Sequence, residues 1–343
     1  MGAPLNVLIA SPLEPELVER IAVAVPDVEV LFAPELLPRP RYAADHGGVA
    51  AELSDAQHDQ WSRMLAAADV SFDFDWRAPA DMPTTAPRLR WVQATSAGIG
   101  QFVQRTGLER STLTFTTAAG VHAVPLAEFA LTGLLYFMRG VPELRARQAA
   151  RHWERYTATS ARGRRVLVVG LGSIGRETCA LLAAAGLEVW GVGRPGRTYD
   201  VPSAARVIDT DGLDDALPHA DGVVLACPLT PETQGLLSRE RLGLLPPGAV
   251  LVNVSRGQVV DEPALIDALE DGRLGGAALD VFEVEPLPAE SPLWARQDVL
   301  VSPHSASTLP SENAAIVDLF CDNLHRFLDG RPLRNLYRPE NGY

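Results

Sequence analysis

The stretch Arg164-Arg165-Val166-Leu167-Val168-Val169-Gly170-Leu171-Gly172-Ser173-Ile174-Gly175 decides how the rest of the chain is read. Val166 to Val169 are four consecutive apolar residues, three of them β-branched, the pattern of a strand buried on both faces of a parallel sheet. They run directly into Gly-x-Gly-x-x-Gly and then into a helix-like segment, Arg176 to Ala185. In that context each glycine has a separate task. Gly170 permits the tight turn, Gly172 lets backbone approach a pyrophosphate, and Gly175 lets the helix pack close to the strand. An anion would then rest on the helix N-terminus, with Leu171, Ser173 and Ile174 completing the loop. Glu188 to Val192 reads as the second strand of the same unit, so a dinucleotide site is a better reading than an isolated turn.

Around this centre the bulk properties narrow the classes. A chain of 343 residues exceeds one hydrophobic core, which implies two domains. Net charge of −13 argues against a nucleic-acid or anionic-membrane surface, and no long uncharged apolar run suggests a membrane span. Met1 to Ala10 lacks the basic lead and apolar core of a signal peptide, so a cytoplasmic protein is expected. The three cysteines, 179, 227 and 321, have no metal-binding spacing, and no metal is expected. All 30 basic residues are arginine. Mechanisms that need a Schiff-base, phosphate-loop or acid-base lysine are therefore excluded.

Upstream, short strands are expected at Asn6–Ala10, Val28–Phe32, Val70–Phe74, Trp91–Ala94 and Leu113–Thr116. Helices are expected at Glu14–Ala24 and Ser54–Ala68, while Ala33–Gly48 and Arg77–Arg90 read as irregular connections. The last two strands flank the turn Thr95-Ser96-Ala97-Gly98. A long apolar helix follows over Val124–Met138, then an arginine-rich one over Glu143–Arg155. After the glycine loop, strands recur at 206–208, 223–225, 250–253, 277–279 and 299–301, and a final helix spans Pro310–Leu328. Alternating β and α signals imply an α/β protein: a Rossmann-type doubly wound parallel sheet over 120–305, and a smaller flavodoxin-like α/β substrate domain made of 1–119 and 306–343.

The second strand of the nucleotide unit ends Gly191-Val192-Gly193-Arg194-Pro195-Gly196-Arg197. A carboxylate there would bind the free ribose hydroxyl of NAD; two guanidiniums pair instead with a 2′-phosphate. Arg194 and Arg197 therefore favour NADP, with NAD as the alternative, against the plainer reading of a solvated loop.

Three later segments complete a pattern. They are Leu251 to Asp261 (LVNVSRGQVVD), Gly276 to Pro286 (GAALDVFEVEP) and Ser302-Pro303-His304-Ser305. Together with Gly170 to Gly175 they resemble the D-isomer-specific 2-hydroxyacid dehydrogenases, of the glyoxylate/hydroxypyruvate reductase type. The resemblance covers residues 120 to 307 in order and is looser upstream, limited mainly to Ser96-Ala97-Gly98 and Ala127-Glu128. It implies catalytic roles for Arg256, Glu285 and His304. A rigid guanidinium fork suits a 2-oxoacid, holding the carboxylate while polarising the ketone. An imidazolium suits the proton donor, and a carboxylate on its other nitrogen fixes the tautomer. Formate dehydrogenases of similar fold use glutamine as that partner, so Glu285 points to hydroxyacid chemistry.

The same resemblance places Cys227, Pro228, Val254, Ser255 and Asp280 against the cofactor, and the backbone amides of Ala97 and Gly98 on the substrate carboxylate. It departs at Ile99-Gly100, where the family often has an acid. His46, His58, His152, His219 and His325 read as surface or packing residues, and His122 as a weaker site candidate. A homodimer is implied, with a helical arm near Trp153 reaching across. Two other readings stay open: a reductase for a bulkier 2-oxoacid, and a nicotinamide-sensing binding protein of the same fold.

Overall fold

The computed structural model describes residues 4–157 and 159–339; the sequence reading of the extreme termini lies outside that range. The chain divides into two compact units, Met1–His122 with Thr308–Tyr343, and Ala123–Ser307.

In the first unit five strands form one parallel sheet: β1 (Leu5–Ile9), β2 (Val28–Leu31), β3 (Val70–Phe72), β4 (Trp91–Gln93) and β5 (Thr114–Thr116). Their order, β2-β1-β3-β4-β5, is the flavodoxin-like winding. Successive side chains point to opposite faces of a strand. Leu8, Val92 and Ala94 accordingly enter one apolar cluster, while Val7, Ile9, Val70, Phe72 and Trp91 enter another. Both faces are covered, as a parallel sheet requires. The final helix, Glu312–Leu328, covers the second face through Ile316, Val317, Phe320 and Leu324.

The second unit holds β6 (Arg165–Val169), β7 (Glu188–Gly193), β8 (Arg206–Asp209), β9 (Gly222–Leu225), β10 (Ala249–Asn253), β11 (Leu274–Leu279) and β12 (Val299–Val301). All pairings are parallel, in the order β12-β11-β10-β9-β6-β7-β8. This is the Rossmann order with one further strand at the edge. Val166 and Val168 face the helices Ala123–Met138 and Ser173–Ala184, whereas Leu167 and Val169 face the cluster that includes Ala264, Leu265 and Leu269 of the helix Glu262–Glu270.

Three local expectations change. A helix, Gly100–Thr106, follows the turn Thr95-Ser96-Ala97-Gly98, where no element was expected before the next strand; at seven residues it is too short for its periodicity to show, and Gly107 ends it in the left-handed region at φ 71°. The arginine-rich helix spans only Val141–Ala149, because the chain turns left-handed at Arg151 (φ 51°) and residues 152–157 are not helical. The connection 77–90 is also less irregular than it reads, with short helical turns at Pro79–Asp81 and Met82–Thr85. No single helix among the described residues is long and apolar enough to cross a membrane.

Candidate functional site

The glycine loop is built as its sequence requires. Gly170 adopts φ 98°, and a Cβ there would lie 2.6 Å from the Cys227 Cα. A Cβ on Gly175 would lie 1.7 Å from the Gly170 carbonyl oxygen, so the helix can start this close to β6 only with glycine at that position. Gly172 meets nothing within 4 Å, leaving open space beside the backbone. The helix begins at Ser173, inside the motif rather than at Arg176, which aims its first amides at that space. These residues fit a dinucleotide pyrophosphate. Cys227, two residues past β9, packs against the loop, and burial pushes its thiol up to about 12, so it stays protonated. Pro228 follows, its carbonyl accepting from the Thr233 hydroxyl at 2.7 Å.

At the end of β7, Arg194 and Arg197 are exposed. The sequence reading missed what organises them. The Tyr199 hydroxyl accepts from the Arg194 amide at 3.1 Å, and its ring carries the Arg197 guanidinium at 5.4 Å. A Cβ on Gly193 would strike that ring at 2.2 Å, so Gly193 makes room for Tyr199. An aromatic placed six residues after a strand end has no sequence signature, because its partner is backbone.

β10, β11 and β12 are adjacent, so the loops after their carboxyl ends emerge side by side. Those loops carry Arg256, Glu285 and His304. Asn253 organises the first: its Oδ1 accepts from the Ser255 amide at 3.0 Å and hydroxyl at 2.7 Å, while its Nδ2 donates to the Arg256 carbonyl at 3.0 Å. Val254 and Ser255 are buried beside it. A Cβ on Gly257 would lie 1.8 Å from the Phe282 carbonyl carbon, so the Arg256 turn is seated directly on the loop after β11. Arg256 is half-buried, and that burial pushes its pKa down against the opposing charges of Glu285 and Asp280. Its Nη1 donates to the Ser255 carbonyl at 2.7 Å.

Glu285 Oε2 lies 2.8 Å from His304 Nδ1, and Glu285 Oε1 accepts from the Phe282 amide at 3.0 Å. Burial opposes ionisation of Glu285, but the His304 and Phe282 bonds together with Arg256 outweigh it and hold its pKa below the usual value. With a carboxylate as partner, Nδ1 carries a proton and Nε2 is the nitrogen left for a ligand. His304 itself sits at φ 53°, a left-handed conformation uncommon outside glycine that costs about 1–3 kcal/mol. Asp280 holds it there. Its Oδ1 accepts from the Ser302 hydroxyl at 2.6 Å and from the amides of Ser305 and Ala306 at 2.8 and 2.9 Å, and its carbonyl accepts from the His304 amide at 2.9 Å. Asp280 thus braces the histidine turn, a bond pattern the resemblance did not indicate.

In the other unit, Ala97 and Gly98 lie in the turn after β4, followed by the helix Gly100–Thr106. Ile99, at the position where the family often has an acid, is buried in the apolar core of this unit. Among the described residues no group of three or more His, Cys, Asp or Glu could hold a metal ion.

A Rossmann sheet with a glycine-loop cradle and an Arg/Glu/His edge defines a nicotinamide-dependent oxidoreductase. Comparison with known proteins gives the family. Residues 131–306 match the model of the D-isomer specific 2-hydroxyacid dehydrogenase, NAD binding domain, and the chain belongs to that family. It is 31% identical to a D-isomer specific 2-hydroxyacid dehydrogenase from Xanthobacter autotrophicus Py2, solved in complex with NADPH and MES (TM-score 0.80, 100% of both chains). It is 27% identical to an NADPH-dependent glyoxylate/hydroxypyruvate reductase from Sinorhizobium meliloti, solved with NADP and sulfate (TM-score 0.80, 99% of this chain and 100% of that one). A D-3-phosphoglycerate dehydrogenase of Mycobacterium leprae is 35% identical over 70% of this chain, a match that spans only 45% of that longer protein.

Proposed function

We propose that this protein is an NADP-preferring reductase that interconverts a small 2-oxoacid, such as glyoxylate or hydroxypyruvate, with its D-2-hydroxyacid. The observation that carries the reading is the 2.8 Å contact between His304 Nδ1 and Glu285 beside the half-buried Arg256. Arg256 binds the substrate carboxylate and draws charge from the ketone oxygen. The nicotinamide, when bound, supplies hydride to the ketone carbon. His304 then gives the Nε2 proton to the oxygen, so one hydride and one proton convert ketone to alcohol. Glu285 holds the ring through Nδ1, which leaves Nε2 for the substrate oxygen. In oxidation the neutral ring accepts the proton instead.

Arg194 and Arg197 support the cofactor preference, since both lie in the exposed loop that follows β7, no carboxylate ends that strand, and a guanidinium pairs well with phosphate. The same reading gives Ala97 and Gly98 to the substrate carboxylate, a homodimer as the assembly and the cytoplasm as its place. The decisive experiment is steady-state turnover of a panel of 2-oxoacids with NADPH and with NADH. Reduction of small 2-oxoacids with NADPH as the better cofactor is expected. No turnover of any 2-oxoacid would overturn the assignment in favour of a nicotinamide-sensing binding protein.

A further inference from the structure

Away from the glycine loop and the His304 edge, polar side chains gather at two places in the first unit. One is around Glu312, whose Oε1 lies 3.2 Å from His122 Nε2 and 3.7 Å from His46 Nε2. Burial opposes its ionisation, yet the two rings hold its pKa down to about 2. His46 comes from an arm whose backbone pairs between Arg39 and Val49 at 2.8 and 2.9 Å, so the stretch read from sequence as irregular is organised there. The other place is beneath the turn that carries Ala97 and Gly98, where Gln93, Thr95, Thr116, Thr117 and Asn323 are buried.

On its upstream side that turn is fastened by the sheet. Thr95 donates to Asp73 Oδ2 at 2.9 Å, and Gln93 Nε2 donates to the Ala94 carbonyl at 3.0 Å. Within the turn, the Ala118 amide donates to the Ser96 carbonyl at 3.0 Å. That carbonyl and the Ala97 N–H belong to one planar peptide unit, in which they point in opposite directions. Whatever holds residue 118 therefore sets the direction of the Ala97 N–H.

Residue 118 is held by Asn335, from the segment after the final helix. Asn335 Nδ2 donates to the Ala119 carbonyl at 2.7 Å and to the Thr117 carbonyl at 3.3 Å, and the Asn335 carbonyl accepts from the Thr117 amide at 3.0 Å. One side chain thus spans both neighbours of Ala118, which is fully buried in the apolar cluster of the final helix. Asn335 reaches them from φ 54°, a left-handed conformation that asparagine tolerates better than most residues. Its chain neighbours are fixed in turn. The Arg334 amide donates to Asn323 Oδ1 at 2.8 Å, Leu336 bridges Thr116 in antiparallel fashion, and the Tyr337 amide donates to the Phe115 carbonyl at 2.9 Å. Asn323 also donates to Gln93 Oε1 at 3.1 Å, so the strand before the turn and the segment after the helix share one buried amide.

We propose that Asn335 is a positioning residue for the substrate: it holds residues 117–119 so that the Ala97 N–H meets the carboxylate of the 2-oxoacid. The inference rests on the proposed function, in which Ala97 and Gly98 bind that carboxylate. An asparagine that only stabilised the fold would, when replaced, lower the amount of working enzyme, and kcat would fall at constant KM. A positioning asparagine changes substrate binding, and the KM of the acid rises by itself.

Steady-state reduction of glyoxylate and hydroxypyruvate with NADPH, by the wild type, Asn335→Gly and Asn335→Asp, separates the two. Glycine accepts the left-handed backbone and removes only the amide; aspartate keeps the shape but has no N–H for the two carbonyls. Both variants are expected to raise the KM of the 2-oxoacid about tenfold, the size of one weakened hydrogen bond to a charged group, with kcat and the KM of NADPH within about twofold of wild type. The aspartate variant is expected to show the larger rise, since its carboxylate faces two carbonyl oxygens. A KM of the acid unmoved in Asn335→Gly, a fall in kcat at constant KM, or an equal rise in the KM of NADPH would overturn the role. Failure of both variants to fold would make Asn335 a structural residue and overturn it too. If the wild type reduces no 2-oxoacid, the proposed function fails and the role with it; wild-type turnover with a KM that neither variant moves leaves that function standing and refutes the role of Asn335 alone.

Discussion

The loops after β10, β11 and β12 and the cluster around Glu312 are both polar constellations at the carboxyl ends of parallel sheets, yet they are assembled differently. In the first, Arg256, Glu285 and His304 come from neighbouring strands of one sheet, each on a loop held by hydrogen bonds within that edge. In the second, His46, Asp73, His122 and Glu312 come from an arm, a strand end, a helix approach and the last helix, and several of their polar atoms lack partners. The difference teaches that side chains from adjacent strands of one sheet are held by hydrogen bonds across that edge, whereas side chains gathered from distant parts of the chain leave some polar atoms without a hydrogen-bond partner.

The sharpest way to break the comparison is at the braced edge. His304→Ala should lower kcat for 2-oxoacid reduction by about 10³-fold, the upper part of the range for a positioned general acid. Glu285 is held below its usual pKa, so it stays ionised across the neutral range. Wild-type reduction should fall with rising pH and oxidation should rise, in pH-rate profiles measured between about 6 and 9. Indifference to pH and to the substitution would remove His304 from the reaction.

A smaller effect is expected at the second cluster. Glu312 has its pKa lowered from 4.5 to about 2, so its contribution to stability is fully present above about pH 4.5 and is lost as pH falls towards 2. Glu312→Gln should destabilise the protein by roughly 2 kcal/mol at neutral pH, with mutant and wild type converging in acid. Urea unfolding across pH measures this; a constant gap down to about pH 2 would mean that His122 and His46 do not favour the charged carboxylate.

The smallest effect concerns the cofactor loop. Arg194→Ala should reduce the NADPH-to-NADH preference in kcat/KM by about tenfold, the size of one charge-assisted contact to phosphate. An unchanged ratio would make the arginine a solvated surface group and shift attention to Arg197 on the Tyr199 ring.

Much of the fold could be read in advance because strands buried on both faces announce themselves as short β-branched runs, and because Gly170, Gly172 and Gly175 answer local steric demands. Arg256, Glu285 and His304 were singled out by the family resemblance, and each lies a few residues beyond such a run. The helix Gly100–Thr106 was hidden by its length, and Tyr199 by its use of backbone as a partner. Asp280 could be singled out, but its bracing of His304 could not, since it acts through amides that exist only once the turn is made.

By itself, the sequence determined the class of the protein: a glycine loop after an apolar run, a guanidinium, a carboxylate and an imidazole in order, and no lysine to support other chemistry. Only tertiary structure decided that His46, His122 and Glu312 meet, although up to 266 positions separate them along the chain (312 − 46). Covalent spacing governs what a turn or strand can do, while long-range neighbours are set by sheet order and helix packing, which no local pattern encodes.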